Sequence, residues 1–560
     1  MSMGILECSF LLLMQHLRNK PMEVSIFGYA EFISALALLV IVYTVAGIQY
    51  HFRIAIAFIP LFKLTYISIA IIGFGTLLIN FWFSHVWYLP VNQQLNIFLQ
   101  VIFGAWFLAL ALIWINFAFI SPPKFSKSNY KRFHDELYKI VLRGSDDDLK
   151  IIASEIGRSA KSIICLSNGR KSRRNDSKLD VCDYAKNILL LIGNRKFCRN
   201  IIASSPNTAM AFFNAMAEEA NFDSPIRQFS VNISTEAIIN KDSILYHEDE
   251  GYHSGLLGYV KPFSKLIYGN YSLVERLAID NGSPLDVDYK ISSLWDADQL
   301  KVYCRLVLIT LESYLKENRW PQHSFSLARA LGYIQNSCLD IYKLNESDLD
   351  CLSLDIFKRL DVIVDFIKKG ISILEKSGVH STKLRLRNDQ KDIYDLFADV
   401  MHKIIFSAAL VEKPPNTCWW IQHNTVWNGF FTFQNNQTWK IIRFKLRRLI
   451  YDEISKLNEF PNFRSSKILA YCLNVMGLIL RKEKISVSYY PLHYVIIDWT
   501  KKNYLKLLSI QPDVAKSCLL GWISFEADKS RLVKTYIKGL SLEEPKDYLK
   551  LNKLKTKWFL

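Results

Sequence analysis

Three long runs of uncharged apolar residues near the N-terminus constrain the fold of this chain more than any other feature. They lie at 32–48, 64–83 and 97–120. An α-helix rises about 1.5 Å per residue, so about 20 residues cross the ~30 Å hydrocarbon layer of a bilayer. The second and third runs reach that length, and the first reaches it when extended to Tyr29 and Tyr50. We therefore predict a transmembrane domain of three helices at 29–121, with two to four spans compatible with the pattern, after an interfacial segment at 1–28.

Lysine and arginine residues beside these runs predict the orientation of the chain. The loop after the first run contains Arg53 and Lys63, and four basic residues lie at 124–132, whereas the loop at 84–96 contains none. Cytoplasmic loops of membrane proteins carry the excess of Lys and Arg. We therefore expect a multi-pass membrane protein whose first loop and large C-terminal region are cytoplasmic.

None of the three runs carries a charged residue at mid-membrane depth. Proton relays, voltage sensors and ion-coupled transporters use such residues, which argues against a pump or a secondary transporter. The second run does carry a weakly polar line with helical spacing. Its members are Thr65, Ser68, Thr76 and Asn80. Such a face either packs against neighbouring membrane helices or lines water in an oligomeric pore, and the sequence leaves both interpretations open.

The region after residue 121 has the pattern of a helical protein. The 560 residues include only 22 Gly and 16 Pro, against a combined average usage of about 12%. Apolar residues recur at spacings of three and four, for example at 355–378 and 439–461. We predict a mainly α fold, in which the transmembrane helices precede a large α-helical cytoplasmic region. A β-branched stretch at 225–290 indicates a small strand insertion. The predicted helical regions are 122–411 and 412–560.

Patterns that would indicate catalysis are weak. The segment HEDEGYH, from His247 to His253, is the most metal-like cluster, but its spacing differs from that of HExxH and Gly251 indicates a turn. We interpret it as a solvated acidic loop. The ten cysteines form no CxxC pair, and no phosphate-binding loop or nucleophile elbow is present. We predict that the chain is not an enzyme and has no catalytic residue, cofactor or metal.

A net charge of +17 is compatible with binding to nucleic acid or to anionic lipid, and also with basic loops that flank membrane spans. One basic run could contact phosphates but lacks interleaved aromatic residues, so we expect a surface loop more than a nucleic-acid site. That run contains Arg170, Lys171, Arg173 and Arg174.

The aromatic segment 418–431 is expected in a buried core or at a partner interface. The Lys-rich C-terminus is expected either on the lipid leaflet or in a docked final helix.

The layout of a short bundle of spans before a large helical region without enzyme motifs resembles bacterial membrane-anchored defence proteins, such as retron-associated transmembrane effectors. The segment from Asn232 to Phe263 is similar to stretches of uncharacterised bacterial proteins with that layout. The resemblance concerns the organisation of the whole chain and rests on no diagnostic motif. It implies the bacterial inner membrane and abortive infection. A regulatory protein or nucleoprotein partner would hold the cytoplasmic region silent, and release would damage the membrane.

Three classes of function remain open from the sequence. In the first, the chain is an antiviral, toxin-like effector whose spans assemble in the bilayer as a homo-oligomer and make it leak. In the second, it is a membrane-tethered scaffold or receptor whose helical region binds a partner. In the third, it is an enzyme of an unfamiliar type on a membrane anchor. We take the first as the prediction.

Overall fold

The computed structural model describes most of the chain. The described residues are 27–82, 93–168, 180–219, 225–248, 262–346, 351–379, 391–432, 436–480, 489–536 and 546–552. Contacts divide the chain after Ile188 into two compact units, 1–188 and 189–560.

The described residues are mainly helical, which confirms the predicted fold class at that level. The helices of the N-terminal part are α1 Tyr29–Val45, α2 Ile48–Ala55, α3 Leu61–Phe81, α4 Gln93–Ile115, α5 Tyr130–Arg143, α6 Asp146–Gly157, α7 Ala160–Ser167 and α8 Val181–Ile192. The helices that follow are α9 Arg195–Ser204, α10 Pro206–Glu219, α11 Arg227–Ile239, α12 Ile244–His247, α13 Pro262–Tyr268, α14 Tyr271–Ala278, α15 Tyr289–Ser292, α16 Ala297–Lys316, α17 Phe325–Asn336, α18 Asp355–Lys376, α19 Ile393–Ala409, α20 Pro415–Trp419, α21 Gln437–Ser455, α22 Phe463–Met476, α23 Tyr490–Ile510 and α24 Pro512–Ser517.

Helical segments of other types extend or connect these elements. Two are π-helical: Asn116–Ile120, which continues α4, and Trp420–Thr432, which continues α20. Three are 3-10 helices: Ile341–Glu346, Cys351–Ser353 and Lys456–Asn458. The π-helical segment Trp420–Thr432 contains most of the predicted aromatic cluster, and it buries Trp427, Phe430 and Phe431 while Trp420 is exposed.

Two helices in the described part of the chain are long and apolar enough to cross a membrane. They are Leu61–Phe81 and Gln94–Ile120. The first predicted span, 32–48, differs from the expectation of a continuous helix, because α1 ends at Val45 and α2 leaves it at an angle of 110°. The count is therefore two, or three if this bent pair forms one span.

The bend follows from the local sequence. Ala46 and Gly47 both have extended backbone angles, so the α1 hydrogen-bond ladder stops there and a new helix begins at Ile48. Beyond the bend, α2 alternates apolar and polar residues with helical spacing and buries Phe52, Arg53 and Ile54. A short amphipathic helix of this kind suits the membrane interface better than the hydrocarbon core.

The predicted strand insertion at 225–290 is wrong for the described part of that stretch, which is helical. Its β-branched residues lie in α11, which is buried on nearly all sides from Phe229 to Ile238. Burial on several faces outweighs the modest helix penalty of β-branched side chains.

On α11, the buried carboxylate of Glu236 accepts hydrogen bonds from Arg195 at 2.5 Å and Arg199 at 3.0 Å.

The strands lie near the C-terminus instead. They are β1 Ile523–Glu526, β2 Arg531–Thr535 and β3 Lys546–Lys550, in the antiparallel order β1-β2-β3. The segment Lys546–Lys550 is therefore a strand, and the alternative of a docked final helix is wrong for those residues. Its alternating pattern buries Asp547 and Leu549 on one face, as period-two alternation dictates.

The second unit packs its helices around apolar faces that the sequence pattern identifies. The amphipathic helix α18 buries Leu360, Ile363 and Ile367 against its neighbours. The helix α16 begins with a capping box, in which Asp296 accepts from the Gln299 amide and Gln299 accepts from the Asp296 amide. Such reciprocal capping satisfies two amides that a helix start leaves unpaired.

A buried histidine in α19 predicts acid sensitivity. His402 is 7% exposed, and burial, with Arg464 nearby, lowers its pKa to about 4. Between pH 4 and 6.5 the unfolded chain binds a proton at this position that the folded chain does not. The free energy of unfolding therefore falls on acidification through that window, by at most about 1.4 kcal/mol per pH unit. We expect His402→Gln to reduce this slope in urea titrations of the full-length protein between pH 7 and 4.5. Equal slopes in both proteins would refute the assignment.

Candidate membrane-coupling site

The polar line of α3 is split by the fold. Thr65, Ser68 and Thr76 are buried, whereas Asn80 is exposed. The three buried residues share a face with Ile72, which is also buried. Within the single chain this face is therefore a helix-packing surface, and Asn80 does not join it.

Contacts with α1 and α4 explain why small and hydroxyl residues occupy that face. The indole N–H of Trp114 donates to Thr65 Oγ1 at 2.7 Å, and the Thr76 hydroxyl donates to the Ile72 carbonyl at 2.9 Å. A Cβ at Gly73 would lie 2.9 Å from the Phe32 ring, and a Cβ at Gly75 would lie 2.5 Å from the Phe103 ring. Small residues let membrane helices approach closely, and these two glycines do so here.

Beyond the bend, α2 carries an arginine that is buried against the polar helices. The Arg53 Nη2 donates to Glu155 Oε1 at 2.5 Å, and its Nε donates to Glu155 Oε2 at 2.9 Å. Its Nη1 donates to the Ala118 carbonyl at 2.6 Å. The Arg53 and Glu155 side chains are 9% and 5% exposed. This is a bidentate pair between planar groups, the geometry in which Arg–carboxylate hydrogen bonds are strongest.

The partner carboxylate is held on a well-capped helix. Ser145 accepts from the Asp148 amide, and Asp148 accepts from the Ser145 amide, so α6 starts with a capping box. The helix then buries Leu149, Ile152 and Ile156 on the face that includes Glu155. Its acidic first turn complements the positive end of the helix dipole.

A second set of hydrogen bonds ties the loop after α2 to the start of α5. Asn129 Nδ2 donates to the Ile56 carbonyl at 2.8 Å. Arg132 donates to the Ala57 carbonyl at 2.5 Å and to the Phe58 carbonyl at 3.2 Å. Five buried apolar residues form one cluster from the same segments and the end of the apolar helices. They are Ile54, Ala57, Leu61, Phe117 and Ala118.

We call this arrangement the joint, defined as residues 48–61 and 116–120 together with Asn129, Arg132 and Glu155. It connects α2, α3 and α4 to α5 and α6 through buried hydrogen bonds and apolar contacts. Close-packed contacts of this kind are rigid, so the positions of α5 and α6 and those of the apolar helix ends are fixed relative to each other.

Sequence reasoning placed Arg53 among the basic residues that set orientation and missed its buried partner. The two residues of the pair are 102 positions apart, and no local pattern links them. The sequence carries no signal of this burial, because successive residues are about 100° apart around a helix and Arg53 falls beside Gln49 and away from Phe52.

Several other predicted features contribute no site in the described residues. Glu248 of the HEDEGYH segment is buried and accepts hydrogen bonds from the Phe263 amide at 2.8 Å and the Ser264 hydroxyl at 2.6 Å, so it caps α13. Asp249, Glu250 and His253 lie outside the described residues. So do Arg170, Lys171, Arg173 and Arg174. Within the described part of the chain, no group of three His, Cys, Asp or Glu side chains is placed to hold a metal ion.

The described cysteines have the environment of structural thiols. All nine are free, and most are buried. Burial raises the pKa of Cys338, Cys418 and Cys518 to about 12 in each case. A thiol nucleophile needs a lowered pKa, so these three residues do not suit that role.

Comparison with known proteins returns no relative: no protein-family model, no curated protein and no solved structure matches the chain.

Proposed function

We propose that this chain is a membrane-anchored effector of bacterial defence, which perturbs the inner membrane when a regulatory partner releases its cytoplasmic helical region. The observation that carries the proposal is the joint. It couples α5 and α6 to the apolar helices through Arg53 and Glu155, so that a partner acting on the polar region has a route to the bilayer.

A two-state argument gives the proposal its mechanism. A partner that binds one arrangement of the helices more tightly than another holds the population in that arrangement. Its loss shifts the population toward a second arrangement, in which the spans of several copies assemble and leak. The spans carry no charged residue at mid-membrane depth, so this mechanism involves passive permeation and not ion-coupled transport.

The decisive experiment is expression of the full-length chain without its partner, followed with a dye that reports membrane potential. We expect depolarisation before growth stops. The matched control is residues 181–560, which keeps α8 whole and omits the apolar helices. This fragment should be soluble, folded by circular dichroism and harmless. Equal toxicity of the fragment, or growth arrest at full potential, would contradict the proposal.

Asn80 tests whether the leak passes through an oligomeric assembly of α3. Among the four polar residues, Asn80 alone is exposed within the chain, so it is available to another copy. We expect Asn80→Leu to slow depolarisation and Ser68→Ala, at a buried position, to leave it unchanged. A larger effect of Ser68→Ala than of Asn80→Leu on depolarisation would show that the leak does not pass along the Asn80 side of α3.

The orientation in this proposal predicts a topology. Reporter fusions at residues 90 and 140 should lie on opposite sides of the membrane, with 140 in the cytoplasm, because only the span Gln94–Ile120 separates them. The expectation holds for a total of two or three spans. A phosphatase reporter, active outside, and a fluorescent reporter, active inside, distinguish the two sides. The same side for both fusions would rule out Gln94–Ile120 as a span.

A membrane-tethered scaffold or receptor is the second candidate, and one cavity favours it. A cavity of about 710 Å³ lies beside α16 and α18 in the second unit. Its charged lining includes both signs: Lys241, Lys301, Arg305 and Lys369, with Asp298, Asp361 and Asp365. Such a lining suits a partner segment with charges of both signs. Retention of membrane potential after full-length expression would favour this candidate over the effector.

A further inference from the structure

A pocket opens on the polar side of the apolar helices, at the joint. It has a volume of about 470 Å³ and lies between α2, the start of α3 and α5. Three basic side chains line it, His51 from α2, Lys63 from α3 and Arg132 from α5. We call it the basic pocket. Three separate elements converge to form it, so its charge does not come from one solvated helix face.

The basic side chains of the basic pocket are not engaged in described ion pairs, although one carboxylate also lines the pocket. Arg132 is fixed by the Ala57 and Phe58 carbonyls, which are neutral acceptors. No described carboxylate forms an ion pair with Arg132 or Lys63. Glu136 is the acidic residue among the described lining residues, and its Oε1 already accepts from Lys139 Nζ at 2.7 Å.

An apolar groove adjoins the basic pocket and shares Tyr43 and Ile54 with it. The groove has a volume of about 270 Å³ and runs between α1 and α4. Its other walls are apolar or aromatic along the length of the two helices, and they include Leu38, Val42, Phe107 and Trp114. A basic pocket next to an apolar groove matches a molecule with an anionic head and a hydrocarbon tail.

We propose that the basic pocket and the apolar groove together bind an anionic phospholipid, with its phosphate at Lys63 and Arg132 and one acyl chain in the groove. Basic pockets between membrane helices suit anionic head groups. The surroundings favour lipid over a soluble anion, because Phe58 and Phe62 beside the pocket are 51% and 44% exposed and suit an apolar environment. The inference requires only that the helices lie in a bilayer and is independent of the defence role.

The test uses delipidated full-length protein in detergent, with native mass spectrometry to count bound lipid. Phosphatidylglycerol and phosphatidylcholine with identical dioleoyl chains are the two probes. We expect phosphatidylglycerol to bind at a several-fold lower concentration. Lys63→Gln should weaken its binding about fivefold, which corresponds to ~1 kcal/mol for one basic residue at an anionic surface. Lys63 is exposed and forms no described ion pair, so this variant should fold normally.

Matched controls separate this site from a general attraction to basic protein. Lys127 is exposed in the segment before α5 and does not line the pocket, so Lys127→Gln should leave lipid binding unchanged. Equal binding of the two lipids, or equal weakening by Lys127→Gln and Lys63→Gln, would overturn the proposal. Displacement of the lipid by 10 mM inorganic phosphate would also overturn it and identify a soluble-anion site.

The acyl chain has its own test. Ala111 lines the apolar groove, and Ala109 on the same helix is exposed outside it. We expect Ala111→Trp to fill the groove and lower the affinity for dioleoyl phosphatidylglycerol at least fivefold, while Ala109→Trp has no such effect. Equal affinities in both variants would overturn the placement of the chain in the groove.

Discussion

Replacing Arg53 with methionine is expected to destabilise the joint by about 3–5 kcal/mol, because the buried Glu155 carboxylate loses its bidentate partner and keeps only Arg158, which lies 3.7 Å away and is half exposed. Both side chains are almost fully buried, so water cannot solvate the remaining charge. The measurement is amide hydrogen exchange of α6 by mass spectrometry in the full-length protein, which reports local opening. Protection of the α6 amides should fall at least about 100-fold, corresponding to the lower end of that energy range.

Two further variants establish that the charge pair causes this loss. The double variant Arg53→Met/Glu155→Met removes both charges. Its loss of α6 amide protection should be smaller than the summed losses of the two single variants, since hydrophobic residues replace buried pairs at little cost. Lys150→Met disrupts an exposed pair with Asp147 on the same helix, 2.9 Å long, and should leave exchange unchanged. Additive losses in the double variant would show that the pair itself has little energetic role.

Loss of Lys445 is expected to have a comparable effect in the second unit. Its Nζ lies 2.6 Å from Asp395 Oδ1 and 3.5 Å from Asp392 Oδ1, and Lys445 and Asp392 are both 5% exposed in their side chains. Lys445→Met leaves two buried carboxylates facing each other, at an expected cost of about 3–5 kcal/mol. The measurement is exchange of the α19 amides, where Asp392 and Asp395 form the capping box.

The pH dependence of this variant has a definite sign. Burial, with the neighbouring Asp392 charge, raises the pKa of Asp395, and Lys445 opposes that rise. Without Lys445 the pKa of Asp395 should rise further, and a proton then replaces the missing cation. A carboxyl whose folded pKa is raised contributes stability at low pH that is lost as the pH increases through that pKa. Lys445→Met should therefore be less stable at pH 8 than at pH 5.

An exposed lysine pair supplies the matched control for Lys445. Lys502 pairs with Asp498 at 2.7 Å on the surface of α23, and solvent screens that pair. Lys502→Met should leave the exchange of the α19 amides unchanged at either pH, after correction for intrinsic rates. An equal loss in Lys445→Met and Lys502→Met would refute the role assigned to the buried cluster.

The sequence located the apolar helices well because hydropathy is a local property. Each predicted run coincides within a few residues with a helix, and the runs at 64–83 and 97–120 match Leu61–Phe81 and Gln94–Ile120. The 110° bend at Ala46 and Gly47 within the first run was not predicted, because it changes composition hardly at all. Apolar residues continue through the bend, so a window average does not detect it.

The positions of the strands, in contrast to those of the apolar helices, were not predicted from local patterns. The segment at 225–290 has β-branched residues, but tertiary burial on several faces makes α11 a helix. The strands form where three short segments pair, and pairing between β2 and β3 joins residues such as Leu532 and Leu549. Such pairing depends on which segments meet and in which register, which the propensity of a single segment does not describe.

By itself the sequence determined that this chain is mainly helical, that it carries apolar helices without a charge in their central parts near its N-terminus, and that α3 has a polar face. These properties follow from composition and periodicity over ten to twenty neighbouring residues. Only the tertiary structure decided that Arg53 pairs with Glu155, that Asn80 lies apart from Thr65, Ser68 and Thr76, and that His51, Lys63 and Arg132 meet in one pocket. Periodicity shows which face of a helix is buried. The packing of one face against another, across about a hundred residues, decides which charges meet.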